Sequence, residues 1–272
     1  MTNRKVIAVT LYRRPDYTKQ MLDALSQCYG IEDYHILISC DHNGQYAEDC
    51  DKVWDLARQF AASRPKELTE IFSNNPRLGI DLNKLFILPR AYALSDYVIF
   101  IEDDTIPAQD ALRYFEFCAQ FVSDPDCVAI CAYDRYHDED YHRRTLEKQA
   151  HAVLKRPKMF SSWGWAMSKA SYERLYGMDG QKYIPNVDAP NGRFDWWISW
   201  NYRDNDYCIF PRMPRFQSVG GERGEHTPNA QWHKENEYNP LGAWTQPMPD
   251  TNDWTLIEDV PMREELWHDC IG

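Results

Sequence analysis

The sequence has no stretch of about 18 consecutive apolar residues, so no helix spanning a bilayer is expected from it. It has no closely spaced Cys or His pairs of the zinc-binding kind: the eight cysteines stand at Cys28, Cys40, Cys50, Cys118, Cys127, Cys131, Cys208 and Cys270. Cys127 and Cys131 lie in an apolar run that reads as a strand, and all eight are expected to be reduced, mostly buried thiols. Positive charge is in deficit, with 30 basic against 42 acidic residues and a net charge of −12. That balance is a poor match to a polyanion and argues against nucleic-acid binding. There is no internal repeat and no low-complexity tract. The apolar run from Lys5 to Thr10 is too short for a secretory leader, and a cytoplasmic protein is the expectation.

What is present is enough for one large α/β domain of 272 residues, 43% of them hydrophobic. In the first half, short apolar runs alternate with helix-like stretches. Val6–Thr10, Ile36–Ser39, Leu68–Phe72, Tyr97–Ile101 and Cys127–Ala132 read as strands. Helices are predicted over Pro15–Cys28, Gln45–Ala62, Leu82–Leu94 and Ala108–Val122, with Pro89 expected to kink or break the third. This alternation predicts a mostly parallel sheet with helices on both faces. In such sheets ligands bind outside the carboxyl ends of the strands. Tyr12-Arg13-Arg14, Asp41 and Glu102-Asp103-Asp104 all fall at those ends.

The second half is less regular. Phe160–Met167 reads as a strand and Phe194–Tyr202 as a short helix, while Tyr136–Arg144 reads as a loop. A main domain over 1–227, with a nucleotide-binding part to about residue 132 and an acceptor part beyond it, is expected to carry a C-terminal extension over 228–272. Aromatic residues reach 14%, with ten Trp and seventeen Tyr, many of them in this half, where they offer packing or flat platforms for sugar rings.

Three adjacent carboxylates after a buried strand repel one another, so Glu102-Asp103-Asp104 is expected on an exposed rim or with a cation bound. Hard oxygen ligands favour Mg2+ or Mn2+. A lone acidic triplet is ordinarily a helix-capping strand end. The apolar strand before it and the α/β setting favour metal here.

The strand ending in Glu102-Asp103-Asp104 resembles the metal motif of the glycosyltransferase A (GT-A, Rossmann-like) fold. Together with Phe160-Ser161-Ser162-Trp163-Gly164-Trp165, Phe194-Asp195-Trp196-Trp197 and Gly221-Glu222-Arg223-Gly224-Glu225-His226, the pattern resembles the inverting N-acetylglucosaminyltransferase I family over residues 5–227. The resemblance implies transfer of a sugar from a nucleotide donor, a UDP-sugar such as UDP-N-acetylglucosamine, to a hydroxyl acceptor of carbohydrate type. It places Thr10, Arg13, Asp41, Asn83, Glu102, Asp103, Gly224 and Glu225 around the donor, Asp104 on the metal and Asp195 as the base; His226 stands where many relatives of this fold, though not that family, use a late His as a metal ligand or phosphate contact. Asp195 also reads as a helix cap, and His226 as a solvated loop residue. His233 is a weaker candidate for the role of His226.

Trp163, Trp165 and Trp196 are the candidate acceptor platforms. Gly164 is expected to admit a ligand close to the backbone. Trp196 and Trp200, one turn apart, share a helix face, which usually means core. Two other readings compete. A sugar-nucleotide nucleotidyltransferase normally carries a glycine-rich turn after the first strand, and Leu11-Tyr12-Arg13-Arg14-Pro15 has no glycine. A non-catalytic carbohydrate-binding protein has no use for three carboxylates at a central strand end.

Overall fold

The structure, a computed structural model, describes residues 4–134, 151–183, 194–222, 229–231, 233 and 254–257. Its centre is a nine-stranded sheet made of β1 (Lys5–Leu11), β2 (Tyr34–Asp41), β3 (Thr69–Asn74), β4 (Tyr97–Glu102), β6 (Cys127–Cys131), β7 (Ala152–Pro157), β8 (Trp165–Ser168), β9 (Tyr207–Pro211) and β11 (Thr255–Ile257). The spatial order is β11-β7-β9-β6-β8-β4-β1-β2-β3. Pairings β1–β2, β2–β3, β1–β4, β6–β9 and β7–β11 are parallel. The antiparallel pairings are β4–β8, β6–β8 and β7–β9. The sheet is thus mostly parallel, as the alternating pattern predicts. A second, two-stranded sheet pairs β5 (Thr105–Pro107) with β10 (Phe216–Ser218).

Helices cover both faces, and the strand periodicity of two explains how. Ile7 and Val9 of β1, with Ile99 and Ile101 of β4, join one core cluster. Helices α1 (Pro15–Ser26), α2 (Ala47–Ala62) and α4 (Ala111–Cys118) close it with Met21, Leu25, Val53, Ala57, Leu112 and Phe115. Val6 and Ala8, with Val98 and Phe100, face the other way. There α3 (Ile80–Tyr92), α5 (Lys169–Tyr176) and α6 (Phe194–Trp200) contribute Ile87, Leu88, Tyr172, Tyr176, Phe194 and Ile198. Because both faces are buried, the central strands read as unbroken apolar runs rather than alternating ones.

The sequence reading departs from the structure in several places. Helix α3 runs from Ile80 to Tyr92 with Pro89 inside it, unbroken. Strand β7 carries Lys155 and Arg156 among its apolar residues, which hides it from a pattern search. The strand expected over Phe160–Met167 is confined to Trp165–Ser168. Beyond residue 227, Trp254 is buried against Tyr114 and Phe117, and β11 extends the main sheet. The seven described cysteines are free and buried. Among the described residues, no helix is long and apolar enough to cross a membrane.

Candidate functional site

Strand β1 has β2 and β3 on one side and β4 on the other. The chain therefore reverses its winding direction at β1, and the crevice of such a sheet opens at the carboxyl ends of the two strands flanking the reversal. Those ends carry Tyr12-Arg13-Arg14 and Glu102-Asp103-Asp104. A surface cavity of about 400 Å³ lined by Arg4, Lys5, His35 and Glu67 lies at the opposite, amino-terminal ends and is no part of this crevice.

The acidic triplet does not stand bare. Arg14, the residue before Pro15 at the start of α1, donates Nε to Asp103 Oδ2 at 3.2 Å and Nη1 to Asp104 Oδ2 at 2.8 Å. Its Nη2 pairs with Asp103 Oδ1. The Tyr12 backbone N–H donates to Asp103 Oδ2 at 3.4 Å. Asp103 is thereby held in place with its side chain 5% exposed, whereas Asp104 keeps 17%. Burial pushes the Asp103 carboxyl up to about 6, with Arg14 opposing the rise.

Glu102 has its own cation, Lys84 of α3, at 2.9 Å, in a pair whose side chains are 14% and 5% exposed. Burial lowers the Lys84 ammonium, but Glu102, Asp195 and Asp81 together outweigh it and the net shift is upward. Burial raises Glu102, with Lys84 pulling the other way and Asp104 and Asp195 adding to the rise. The field of Asp195 is thus felt at both Lys84 and Glu102, and helix α6 is brought up to the carboxyl end of β4. The sequence-based expectation that the triplet needs an external cation or an exposed rim is corrected here. Arg14 and Lys84 supply two resident cations, one of them from 89 residues away along the chain.

Asp41 and Asn83 are engaged within the fold. Asp41 is 3% exposed and accepts from Gly79 N at 2.8 Å, from Leu78 N at 3.3 Å and from Asn74 Nδ2 at 3.3 Å. Asn83, equally buried, accepts from Ser39 Oγ and from Asn74 Nδ2 through its own Oδ1. Both side chains fasten the 74–79 loop and the start of α3 to β2. Thr10 is buried in register with Ser39 and Glu102.

Arg13 does stand at the crevice. Its guanidinium lies 4.5 Å from the Tyr46 ring and 5.6 Å from the Tyr12 ring, and Arg77 lies 4.3 Å from the other partner of that stack, Tyr12. These half-exposed side chains form a cationic and aromatic ledge beyond the ends of β1 and β2.

On the far side of Asp104, its carbonyl accepts from Val219 N at 2.8 Å. A Cβ at Gly220 would lie 2.6 Å from Asp104 Oδ2, and one at Gly221 would collide with Nδ1 of His233. The two glycines thus run between Asp104 and His233, whose Nε2 faces Ser218 Oγ at 3.3 Å. Burial lowers the His233 pKa while Asp104 opposes the shift. Gly224, Glu225 and His226 lie outside the described residues. Among the described residues, no group of three or more His, Cys, Asp or Glu side chains is placed to hold a metal ion.

The aromatic candidates separate. Trp165 is fully buried between Phe100 and Phe194, with ring centroids at 5.0 and 6.0 Å, so its expected place in an acceptor site is corrected to the core. Gly164 has φ +70°, and an added Cβ would sit 2.6 Å from the Phe216 ring. That space holds a phenylalanine rather than a ligand. Trp163 is half-buried, edge-on to Tyr133 at 4.7 Å. Trp196 is half-buried too, on the first turn of α6 beside Asp195.

No family model matches the chain, and no curated protein sequence is similar to it. Solved structures that are similar to it include a mannosyltransferase from Pyrobaculum calidifontis in complex with GDP-Man and Mn2+, at 17% identity and a TM-score of 0.45, covering 66% of this chain and 51% of that one. The glycosyltransferase GlyE of Streptococcus pneumoniae gives 10% identity and a TM-score of 0.45 over 76% of this chain and 45% of its own. A cytidylyltransferase from Leptospira borgpetersenii gives 11% identity and a TM-score of 0.33, covering 64% of each chain. This chain spans about half the length of the first two. Likenesses of this size carry no assignment of activity.

Proposed function

We propose that this chain transfers a sugar from a nucleotide-sugar donor to a hydroxyl acceptor, with inversion, at the carboxyl ends of β1 and β4. The observation that carries this reading is the row Glu102-Asp103-Asp104 at the winding reversal, with Arg14 and Lys84 built in around it and Asp195 close enough to act on the same lysine. A structural acidic cap has no need of two built-in cations and a fourth carboxylate from another helix.

The roles follow from what each group has left to offer. Asp103 is committed to Arg14 and holds the end of β4 against the start of α1. Glu102, fixed by Lys84, keeps one oxygen for the donor's hydroxyls. The ledge of Arg13, Tyr12, Tyr46 and Arg77 receives the nucleotide, uridine by the sequence resemblance, with stacking surfaces and positive charge. Asp195 accepts the proton of the attacking hydroxyl. A single base facing the side opposite the leaving group gives inversion.

Asp104 offers a hard carboxylate oxygen, which suits Mn2+ or Mg2+, and His233 lies on the other side of Gly220-Gly221. An ion held by one carboxylate and the donor's phosphates needs no standing cage of protein ligands. Such an ion would neutralise the diphosphate leaving group.

The test is a panel of UDP-, GDP- and CDP-sugars with Mn2+ or Mg2+, followed by release of the nucleoside diphosphate. Asp104→Ala is expected to lower turnover by two orders of magnitude or more. Asp195→Asn should abolish transfer to an acceptor while leaving donor binding measurable. Release of pyrophosphate from a nucleoside triphosphate and a sugar phosphate, with no transfer from any nucleotide sugar, would establish nucleotidyl transfer instead.

A further inference from the structure

The seven residues of α6 divide cleanly by face. Phe194 and Ile198 are in the core, and Trp197 is turned the same way, its indole N–H donating to Leu175 O at 2.8 Å. That is the i, i+3, i+4 stripe of a helix seated on a sheet. The open side carries two adjacent stripes, Asp195 with Ser199 and Trp196 with Trp200. The two Trp rings are 6.0 Å apart and nearly perpendicular, at 78°. Trp200 is 54% exposed and stands among three large exposed apolar side chains in the described structure, the others being Leu82 and Leu256.

We infer that this open face of α6 is the acceptor platform, and that the acceptor is a saccharide of at least two rings, one beside Asp195 and Trp196 and the next over Trp200. The inference rests on the reading of Asp195 as base. Four residues of helix advance about 6 Å, so Trp200 lies beyond the reacting hydroxyl and is of no use to a single sugar. A carboxylate and a hydroxyl in one stripe, beside aromatic faces in the next, match a ligand whose rings have apolar C–H faces and hydroxyl edges.

A protein partner fits less well. Two Trp side chains offer at most about 500 Å², against about 800 Å² per partner in a stable interface. A second copy would also bring its own excess of 12 negative charges against Asp195. A neutral saccharide meets neither obstacle.

The experiment is direct binding, without nucleotide, of chito-, cello-, malto- and manno-oligosaccharides of one to four rings, read by tryptophan fluorescence and calorimetry. Wild type is expected to bind at least one tetrasaccharide about tenfold more tightly than its monosaccharide. Trp200→Ala should remove about 5- to 10-fold of that affinity, the size of one ring stacking contact, and Trp200→Phe should keep most of it. Leu82→Ala, equally exposed but off the stripe, serves as the control and should bind as wild type does. No binding by wild type, no preference for longer chains, or equal losses in Trp200→Ala and Leu82→Ala would overturn the inference. Oligosaccharide binding through Trp200 in a protein that turns over no nucleotide sugar would refute the proposed function, and with it the acceptor role, and leave a saccharide-binding face.

Discussion

Replacing Lys84 with methionine keeps the length of the side chain and removes its charge. Lys84 and Glu102 meet at 2.9 Å with 5% and 14% of their side chains exposed, so the substitution leaves a carboxylate without its partner in a nearly dry place. Deleting one member of such a pair costs about 3–5 kcal/mol. In a chain of this size that lowers the melting temperature by about 10 °C. The loss has a pH signature. Burial already holds Glu102 above its ordinary value, and Lys84 is the chief group opposing that rise. Without Lys84 the folded-state pKa climbs further above the unfolded one. The folded protein then binds more protons than the unfolded, and stability falls as pH rises through that window.

The deficit of Lys84→Met against wild type is therefore largest on the alkaline side. The deficit shrinks as pH falls toward the raised Glu102 value, where the unpartnered carboxylate takes up a proton. Urea unfolding followed by circular dichroism at several pH values, for Lys84→Met, Glu102→Gln and the double variant, gives all the required quantities. A loss below about 1 kcal/mol, a deficit independent of pH, or additive single losses would refute the reasoning. Any of these would mean that the pair is solvated and does not hold α3 to β4.

Three further outcomes are expected. Arg14→Ala should destabilise the protein by several kcal/mol yet bind divalent cations more tightly, because Asp104 Oδ2 loses the guanidinium at 2.8 Å; Mn2+ would raise the melting temperature of the variant more than that of wild type, and an equal rise would count against Asp104. Gly164→Ala combines a φ of +70° with a Cβ 2.6 Å from the Phe216 ring, whereas Gly30→Ala has φ +80° and open space; the first should cost about 2–4 kcal/mol and the second about 1, and similar melting temperatures for the two would remove the packing argument. Lys84, with its pKa raised, contributes stability that is full below about pH 10.4 and lost as pH rises through the folded value; an alkaline unfolding limb that survives unchanged in Lys84→Met would show that another group controls it.

The central strands were legible because burial on both faces leaves an apolar run with no alternation, and the charges of Glu102-Asp103-Asp104 mark where β4 leaves the core. What was not legible is what those charges touch. Arg14 reaches Asp103 across 89 residues, and nothing local in either segment announces the pair. Asp41 was read from its place at a strand end, yet the 74–79 loop folds back and claims both its oxygens, a consequence of tertiary structure alone. The spacing of Trp196 and Trp200 states only that they share a face. It cannot say which face, and Phe194, Trp197 and Ile198 take the core side. Strand β8 was read as starting too early because Phe160 packs on the core against Trp165 without joining the ladder.

The resident cations also bear on what else the site accepts. Glu102, Asp103, Asp104 and Asp195 are four carboxylates, and Lys84 and Arg14 neutralise two of them. Arg14 spends most of its fork on Asp103, so the uncompensated charge falls on Asp104 and Asp195, the better exposed ends of the row. One of these lies beside His233 and the other heads the open face of α6. A fully neutralised row would have no electrostatic reason to take up a divalent ion, and a bare one would not stay folded without it. With two charges left over, the row of four carboxylates is one doubly charged cation short of neutrality. On that argument, removing either resident cation should increase the protein's dependence on added Mn2+ or Mg2+ for stability, and removing Asp104 should decrease it.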